Sequence, residues 1–166
     1  DCLTNTYNGH FGTDIAVFPY GFYKMDNNQI QVVAAAPGTI IARSDGFFDR
    51  NCSSNTMTAN YIIIQHADGS VALYWHMKTN SVTAKTVGQS VAVGEYLGVV
   101  GSSGSSSGPH LHFEIWSSTT VSTRKDPYSG TCNYLNASSW WAAQKPHTDP
   151  AILKVSVNTT DLVMSA

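Results

Sequence analysis

Short apolar runs bounded by turn residues recur along this chain and restrict its fold more than any other feature. Tyr61–His66 and Val71–His76 are typical of β-strands, and the Asp68-Gly69 pair between them favours a tight hairpin. Similar runs lie at residues 30–35, 38–42, 90–93, 97–100 and 111–116. No amphipathic pattern of about a dozen residues indicates a helix before residue 135. The sequence therefore predicts a mainly β fold: a compact antiparallel β-sheet with long loops and little helix.

The 166 residues are enough for one domain with its own hydrophobic core. The Gly/Ser-rich run 101–108 lies between two predicted strands, so we interpret it as a loop at the rim of the sheet. Near the end, Pro146 and Pro150 bracket a polar stretch. We therefore assign residues 1–145 to one domain and residues 146–166 to a C-terminal extension, which packs as an edge strand or begins a linker.

The charge balance excludes several classes of protein. Apolar residues make up 42% of the chain and charged residues 12%, and the formal net charge is -2. No basic run could neutralise several phosphates, so nucleic acid is not expected as a partner. No apolar stretch reaches the roughly 20 residues that span a bilayer. The start at Asp1 lacks an initiator Met and the apolar region of a signal peptide, so we expect a processed or trimmed chain. We also expect a monomer.

The three cysteines, Cys2, Cys52 and Cys132, show no CxxC spacing, so a cysteine-ligated zinc site has no support. For a secreted domain we expect one disulfide and one odd thiol, with Cys52–Cys132 the favoured pairing because both residues lie in polar, turn-rich segments. Three free thiols in a reducing compartment are the alternative.

Four of the six histidines fall in three short segments with spacings typical of functional sites. His10 and Asp14 are four residues apart, and the glycines of this segment let both side chains approach one ion. His110 and His112 lie on a predicted strand, where a period of two places both imidazoles on one face.

The same period places Tyr74 and His76 on one face of another predicted strand. His66 and His147 match no motif, and we interpret them as surface residues.

Zinc in a hydrolytic site takes three N or O ligands and leaves one position for water. The His-x-x-x-Asp pair and one histidine of His-x-His supply that number. The other two histidines could then act on the water and the substrate. The residues alone favour a mononuclear zinc hydrolase, with structural histidines as the alternative.

Six motifs follow one another between residues 9 and 116: Gly9-His10-x-Gly12-x-Asp14, Ala36-Pro37-Gly38-Thr39, Tyr74-x-His76-Met77, Gly94-Glu95-x-Leu97-Gly98, Gly101-Ser102-Ser103-Gly104 and Gly108-Pro109-His110-Leu111-His112-Phe113-Glu114. In this order and spacing they resemble the lysostaphin-type (LytM/LasA-like) zinc endopeptidases. The resemblance implies a compact antiparallel β fold with one Zn²⁺ ion in a groove. It also implies cleavage of glycine-containing or cell-wall peptides by a secreted bacterial enzyme.

The resemblance further implies a role for each site residue. His10 and Asp14 correspond to the first two zinc ligands of the family, and His112 corresponds to the third. His110 corresponds to the catalytic histidine that takes the proton from the zinc-bound water. His76 corresponds to the second catalytic histidine, which hydrogen-bonds the reacting water or the oxyanion.

This chain departs from the family at Trp75, where the family usually has a small residue; strand alternation would turn this side chain away from the neighbouring histidine. In the implied substrate groove we expect Tyr74, Ser102, Ser103 and Gly108. The small residues of the 102–108 loop would let an extended substrate lie close to the groove floor. A floor without room for Cβ atoms would favour glycine in the substrate.

The resulting expectation is a secreted bacterial zinc metalloendopeptidase that degrades peptidoglycan stem or cross-bridge peptides, or other glycine-rich peptides and proteins. One alternative is a non-catalytic module of the same fold that binds cell walls or activates a partner. Another is a carboxypeptidase, which needs a cation for the terminal carboxylate of its substrate. By composition, the candidates for that cation are Arg43, Arg50, Lys78 and Arg124.

Overall fold

The structure is a computed structural model that describes residues 10–129 and 137–144, together with the backbone of two short strands near the C-terminus. Within these residues the elements are β1 (Thr13–Ala16), α1 (Gly21–Asp26), β2 (Gln31–Val33), β3 (Gly38–Ser44), β4 (Tyr61–Gln65), β5 (Val71–Trp75), β6 (Ser90–Val91), β7 (Tyr96–Val99), β8 (His110–Trp116), a 3-10 turn (Val121–Thr123), β9 (Arg124–Lys125), β10 (Ser156–Val157) and β11 (Thr160–Asp161). The fold is mainly β and its paired strands are antiparallel, which confirms the predicted fold class.

A seven-stranded sheet organises the molecule, with strand order β1-β8-β5-β4-β3-β6 and β9 also paired to β8. β1 pairs with residues 110–113 of β8, and β9 pairs with Ile115 and Trp116 of the same strand. β5 pairs with β8 over residues 112–116. Because a strand has two edges, β1 and β9 lie end to end along the edge of β8 opposite β5.

Alternation along the strands gives the sheet two different faces. One face packs on the smaller β2–β7 sheet and forms the main core, which includes Ile40, Ile62, Ile64, Ala72, Tyr74 and Phe113 from the large sheet and Val32 and Leu97 from the small one. A second cluster, with Val71, Leu73 and Trp116, covers part of the opposite face. Phe113 therefore points into the main core, and its neighbours His112 and Glu114 project from the opposite face.

The hairpin expected at Asp68-Gly69 is confirmed, because β4 pairs with β5 and Gly69 has a φ of +85°. Sequence patterns did not reveal β1 and β9. Both are short and lack a buried apolar face, so their extended conformation comes from pairing with β8. The six-residue helix α1 was also not expected.

The structure does not contain the favoured Cys52–Cys132 disulfide, since Cys52 is exposed and free, with its Sγ 3.8 Å from the Arg50 carbonyl oxygen. Cys2 and Cys132 lie outside the described residues. In the tail, β10 pairs with β11 rather than with the seven-stranded sheet. The domain boundary at residue 145 stays a prediction. Among the described residues, no helix is long and apolar enough to cross a membrane.

Candidate metal centre and catalytic histidines

The side chains of His10, Asp14 and His112 converge on one point. Asp14 Oδ1 lies 3.1 Å from His10 Nε2 and 2.9 Å from His112 Nδ1, and these two nitrogens are 3.2 Å apart. Two imidazole nitrogens and one carboxylate oxygen are a donor set that zinc takes in hydrolytic sites. In the described part of the chain, no other three His, Cys, Asp or Glu side chains converge closely enough to hold a metal ion.

Strand pairing brings this cluster together, although 98 positions separate Asp14 from His112 along the chain. β1 runs antiparallel to β8 with Asp14 opposite His112 and Ala16 opposite His110. Directly opposite residues in antiparallel strands have Cβ atoms about 4.5–5.5 Å apart, so their side chains meet on one face. His10 precedes β1, so it approaches the cluster from the edge of β8 along which β1 lies. The register of one strand pair therefore sets the distance between two of the three candidate ligands.

Gly12 leaves space for the ring of His112. A Cβ atom at position 12 would lie 2.6 Å from both Cε1 and Nε2 of His112, and 2.8 Å from the carbonyl oxygen of Phe113. Real Cβ atoms do not approach other atoms so closely, so any side chain here would displace the imidazole. The glycine is needed for clearance, which is a different reason from the backbone freedom expected from the sequence.

Glu114 holds the far side of the His112 ring. Its Oε1 lies 2.9 Å from His112 Nε2, and its Oε2 accepts hydrogen bonds from Trp116 Nε1 at 2.6 Å and Arg124 Nε at 2.7 Å. Glu114 is only 4% exposed, so these three donors satisfy a buried carboxylate. A second partner of this kind fixes the orientation of a metal-ligating histidine. This role of Glu114 was not predicted from the sequence, although the period of two along β8 continues from His112 to Glu114.

His110 and His76 lie beside the cluster with their ring centroids 4.6 Å apart. His110 Nε2 is 3.6 Å from Asp14 Oδ1. The Nδ1 atom of His110 is 2.8 Å from the Gly108 carbonyl oxygen, and that of His76 is 2.6 Å from the Ser103 carbonyl oxygen. A carbonyl oxygen only accepts, so Nδ1 carries the proton in both rings. With its proton on Nδ1, the neutral form of either ring has Nε2 as a hydrogen-bond acceptor.

His76 enters the site through a left-handed backbone conformation, with a φ of 64°. Because β5 ends at Trp75, strand alternation does not extend to His76. The expectation that Tyr74 and His76 share a face, with Trp75 turned away, is therefore wrong. Tyr74 points into the main core. Trp75 is opposite His112 in the sheet, and its ring centroid lies 6.5 Å from that of His112 and 6.2 Å from that of His76.

The pKa values within the site are pushed apart by burial and hydrogen bonding. Burial lowers the pKa of His76 to about 4. Burial opposes charge on His112 as well, but hydrogen bonds to Asp14 and Glu114 outweigh it and raise the pKa of His112 to about 9. For Asp14, burial raises the pKa, whereas the His112 hydrogen bond and the neighbouring histidine charges lower it to about 2. At neutral pH the site thus holds an ionised Asp14 and a neutral His76.

Three of the four residues expected in the substrate groove are buried supports instead. Tyr74 is 2% exposed, and Ser102 and Ser103 are fully buried. Their hydroxyls bond to backbone groups: Tyr74 accepts from Ala35 N–H, Ser102 donates to the Asn51 carbonyl, and Ser103 donates to the Met77 carbonyl. Gly108 differs, because it is half-buried and a Cβ there would meet nothing within 4 Å.

The four cationic candidates for carboxylate recognition are not presented to the site as free charges. Arg50 forms an ion pair with Asp26 at 2.6 Å, and Arg124 bonds Glu114. The Nζ atom of Lys78 donates to the carbonyls of Met25 and Asp26 and to Asn28 Oδ1. Arg43 lies on β3, three strands away from β8 in the sheet.

The sequence and fold of this chain are similar to those of known peptidases. Residues 9–126, which are 118 of the 166, match the family described as Peptidase family M23. The chain belongs to peptidase family M23. This M23 chain is 30% identical over 101 residues to the cell division protein DipM of Caulobacter vibrioides, covering 61% of this chain and 16% of DipM. It is 35% identical over 83 residues to the peptidoglycan DD-endopeptidase ShyC of Vibrio cholerae, covering 50% of this chain and 18% of ShyC.

A solved structure of the catalytic domain of the antimicrobial peptidase lysostaphin, from Staphylococcus simulans, matches this chain with a TM-score of 0.50 and 27% identity. The match covers 71% of this chain and 75% of that domain. By contrast, the M23 chain matches less than a fifth of the length of DipM and of ShyC. The likeness to DipM and ShyC therefore concerns a part of each of these proteins and not their whole length.

Proposed function

We propose that this M23 chain is a secreted bacterial zinc metalloendopeptidase that hydrolyses peptide bonds in peptidoglycan stem or cross-bridge peptides, or in other glycine-rich peptides and proteins. The observation that carries the proposal is the convergence of His10, Asp14 and His112 next to two further histidines. Residues 1–145 would form the catalytic domain and residues 146–166 an extension.

The residues fit one zinc ion. His10 Nε2, Asp14 Oδ1 and His112 Nδ1 are the three ligand atoms, and the exposure of Asp14 leaves the site open to water and substrate. To act as a ligand, His112 would release to solvent the Nδ1 proton that now bonds Asp14, and it would keep the Nε2 proton that it donates to Glu114 Oε1. Bound zinc supplies a Lewis acid that lowers the pKa of water towards about 7 and polarises the substrate carbonyl.

His110 is the proposed general base. Its Nδ1 proton is held by the Gly108 carbonyl, so Nε2 is free to accept the proton of the attacking water. The same Nε2 lies 3.6 Å from Asp14 Oδ1, which places it at the edge of the ligand cluster. The protonated ring can then return this proton to the leaving amine, since a general base becomes a general acid after it has been charged.

His76 is the proposed second catalytic histidine, and its protonation favours one of the two roles expected for it. A neutral ring with its proton on Nδ1 accepts at Nε2 and has no second N–H to offer an oxyanion. Burial lowers the pKa of His76 to about 4, so this neutral form holds at working pH. His76 would therefore orient the reacting water by accepting its hydrogen bond.

The substrate class rests on the relatives and on the 101–108 loop. ShyC is a peptidoglycan DD-endopeptidase and lysostaphin is an antimicrobial peptidase, so a cell-wall peptide is the natural substrate to propose. The open space above Gly108, next to the His110 base, leaves room for an extended peptide. A preference for glycine at the cleaved bond would follow if that peptide lies close to the loop backbone.

The two alternatives are less well supported. A carboxypeptidase needs a free cation near the zinc. Of the candidate cations, Arg50, Lys78 and Arg124 are already bonded to other groups of the chain, and Arg43 lies three strands away from β8. A non-catalytic module has no need for a complete set of ligands together with two accepting histidines.

The test combines zinc content with product analysis. The purified protein should hold one zinc ion per chain after dialysis, and it should release peptides from purified peptidoglycan or cut a pentaglycine peptide, as read by mass spectrometry. Replacing Gly by Ala at the cleaved bond should lower kcat/KM. A protein that binds cell walls yet holds no zinc and cuts neither substrate would support the binding module instead.

A further inference from the structure

We propose that Arg124 is a positioning residue that links the two histidine ligands of the metal centre, holding His112 through Glu114 and the His10 segment through Phe11. The inference rests on the proposed zinc site. Arg124 lies outside the ligand set and does not reach the ligand cluster itself.

The first contact is with the buried carboxylate. Arg124 Nε donates to Glu114 Oε2 at 2.7 Å, while Glu114 Oε1 lies 2.9 Å from His112 Nε2. The two oxygens of one carboxylate thus join the guanidinium to the ligand ring. Because Glu114 is 4% exposed, water does not replace a lost donor easily. Without Arg124, the buried carboxylate would lose its guanidinium partner and keep the Trp116 N–H as a donor to Oε2, so it would hold the His112 ring less firmly.

The second contact is with the segment that carries the other histidine ligand. The guanidinium carbon of Arg124 lies 4.6 Å from the centroid of the Phe11 ring, a cation–π geometry. Phe11 directly follows His10 and is 57% exposed, so its ring is not fixed by burial in the core. Arg124 covers this ring and so restrains the backbone next to His10.

The topology explains why one side chain can reach both. β1 and β9 lie end to end along the same edge of β8, so the residues before β1 and the residues of β9 are neighbours in space. The contacts then form a closed path from His10 through Phe11, Arg124 and Glu114 to His112, which meets His10 again at 3.2 Å. Such a path holds the spacing of the two imidazoles from both sides.

The experiment measures zinc affinity by competition with a chelator, separately from peptidase activity. Arg124→Met keeps the apolar stem and removes the charge, and Phe11→Leu keeps an apolar side chain and removes the ring. We expect Arg124→Met to weaken zinc binding about 10-fold, the low end of the 10- to 100-fold effect of losing an outer partner of a ligand, because Arg124 acts on His112 through Glu114. Phe11→Leu should weaken it less, about 2- to 5-fold, since cation–π contacts at exposed sites are weak.

The double variant tests the link itself. If both residues act through one contact, Arg124→Met with Phe11→Leu should bind zinc about as weakly as Arg124→Met alone. Arg124→Lys, which keeps a cation between the ring and the carboxylate, should recover most of the affinity. Lys125→Met is the matched control, because it removes a charge from the same strand at a position opposite Ile115 rather than Trp116, and zinc binding should not change.

The urea midpoint of each variant separates loss of folding from loss of positioning. If Arg124→Met proves unstable, the exposed Phe11→Leu carries the test alone. Unchanged zinc affinity in folded Arg124→Met and Phe11→Leu proteins, or losses that multiply in the double variant, would overturn the link while leaving the proposed function intact. A parent protein without zinc would overturn the proposed function, and this inference with it.

Discussion

The three candidate ligands and the pair of histidines beside them are close in space but are held by different parts of the fold. His112 and Asp14 are placed by the pairing of β1 with β8 and are held by charged side chains. His76 and His110 are held by backbone carbonyls of the 101–108 loop. Metal affinity should therefore depend on the sheet and its carboxylates, and proton transfer should depend on the loop.

The loop can serve as a rigid support because its own polar groups are satisfied inside. Ser103 Oγ accepts from the Asn60 N–H and donates to the Met77 carbonyl, so the Ser103 carbonyl stays fixed on His76. Ser106 Oγ lies 2.8 Å from Ser102 Oγ and 3.3 Å from His110 Nδ1. A run that resembles a flexible linker in composition is thus tied down by buried hydroxyls.

The largest effect is expected from His112→Ala, which removes the candidate zinc ligand that β8 carries. With only His10 and Asp14 left, zinc affinity should fall by more than the 10- to 100-fold typical of changes around a ligand, and activity should be lost with it. Zinc per chain after dialysis, measured beside kcat, checks this. A His112→Ala protein that keeps its zinc would contradict the ligand assignment.

His110→Ala changes a residue only two positions from His112 along the chain. The backbone of the 101–108 loop holds this second histidine. The three ligands stay in place, so zinc content should match that of the parent protein. Loss of the proton acceptor should lower kcat by about 10² to 10⁴. The same two measurements apply. Loss of zinc in this variant, or full activity, would show that the two regions are not separable in the way the contacts indicate.

Much of this arrangement could be predicted from the sequence, because regular geometry follows from regular patterns. A period of two placed His110 and His112 on one face, and the motif match supplied His10 and Asp14. The prediction of a shared face for Tyr74 and His76 was wrong because the left-handed φ of His76 ends the alternation, and no residue pattern announces it.

Other parts of the site were beyond sequence reasoning for a different reason. Arg124 becomes part of the site only through β9, a two-residue strand whose conformation comes from pairing with β8. Gly12 was recognised as a motif residue, but its role depends on the position of a ring about 100 residues later in the chain. Contacts of this kind belong to the tertiary structure and have no local signature.

Gly12→Ala tests how closely the His112 ring is packed against the segment that precedes β1. The new Cβ would lie 2.6 Å from the His112 ring, so the ring must move and zinc affinity should fall about 10- to 100-fold. Gly108→Ala is the matched control, because a Cβ at that position meets nothing within 4 Å and the ligands are untouched. Chelator competition on both variants gives the comparison. Equal zinc affinity in Gly12→Ala and the parent would mean that the ring has room to shift.

The smallest effect concerns His76, one of the two histidines that the 101–108 loop holds. It appears as a pH dependence of the free energy of unfolding. Burial lowers the pKa of His76 to about 4, whereas an unfolded histidine titrates near 6.5. Between these values the unfolded chain takes up the proton and the folded protein does not, so falling pH favours unfolding. The groups facing His76 include His110, His112 and Asp14, and these remain in a His76→Asn variant.

Asn is the suitable replacement because it tolerates the left-handed backbone at position 76. Urea unfolding of the metal-free parent and variant at pH 7 and pH 5 isolates the contribution of this one imidazole. The parent should lose about 1 to 2 kcal/mol more than His76→Asn over this interval. An equal loss in both proteins would show that His76 becomes charged in the folded protein. That result would remove the physical basis for treating His76 as a neutral acceptor in the site.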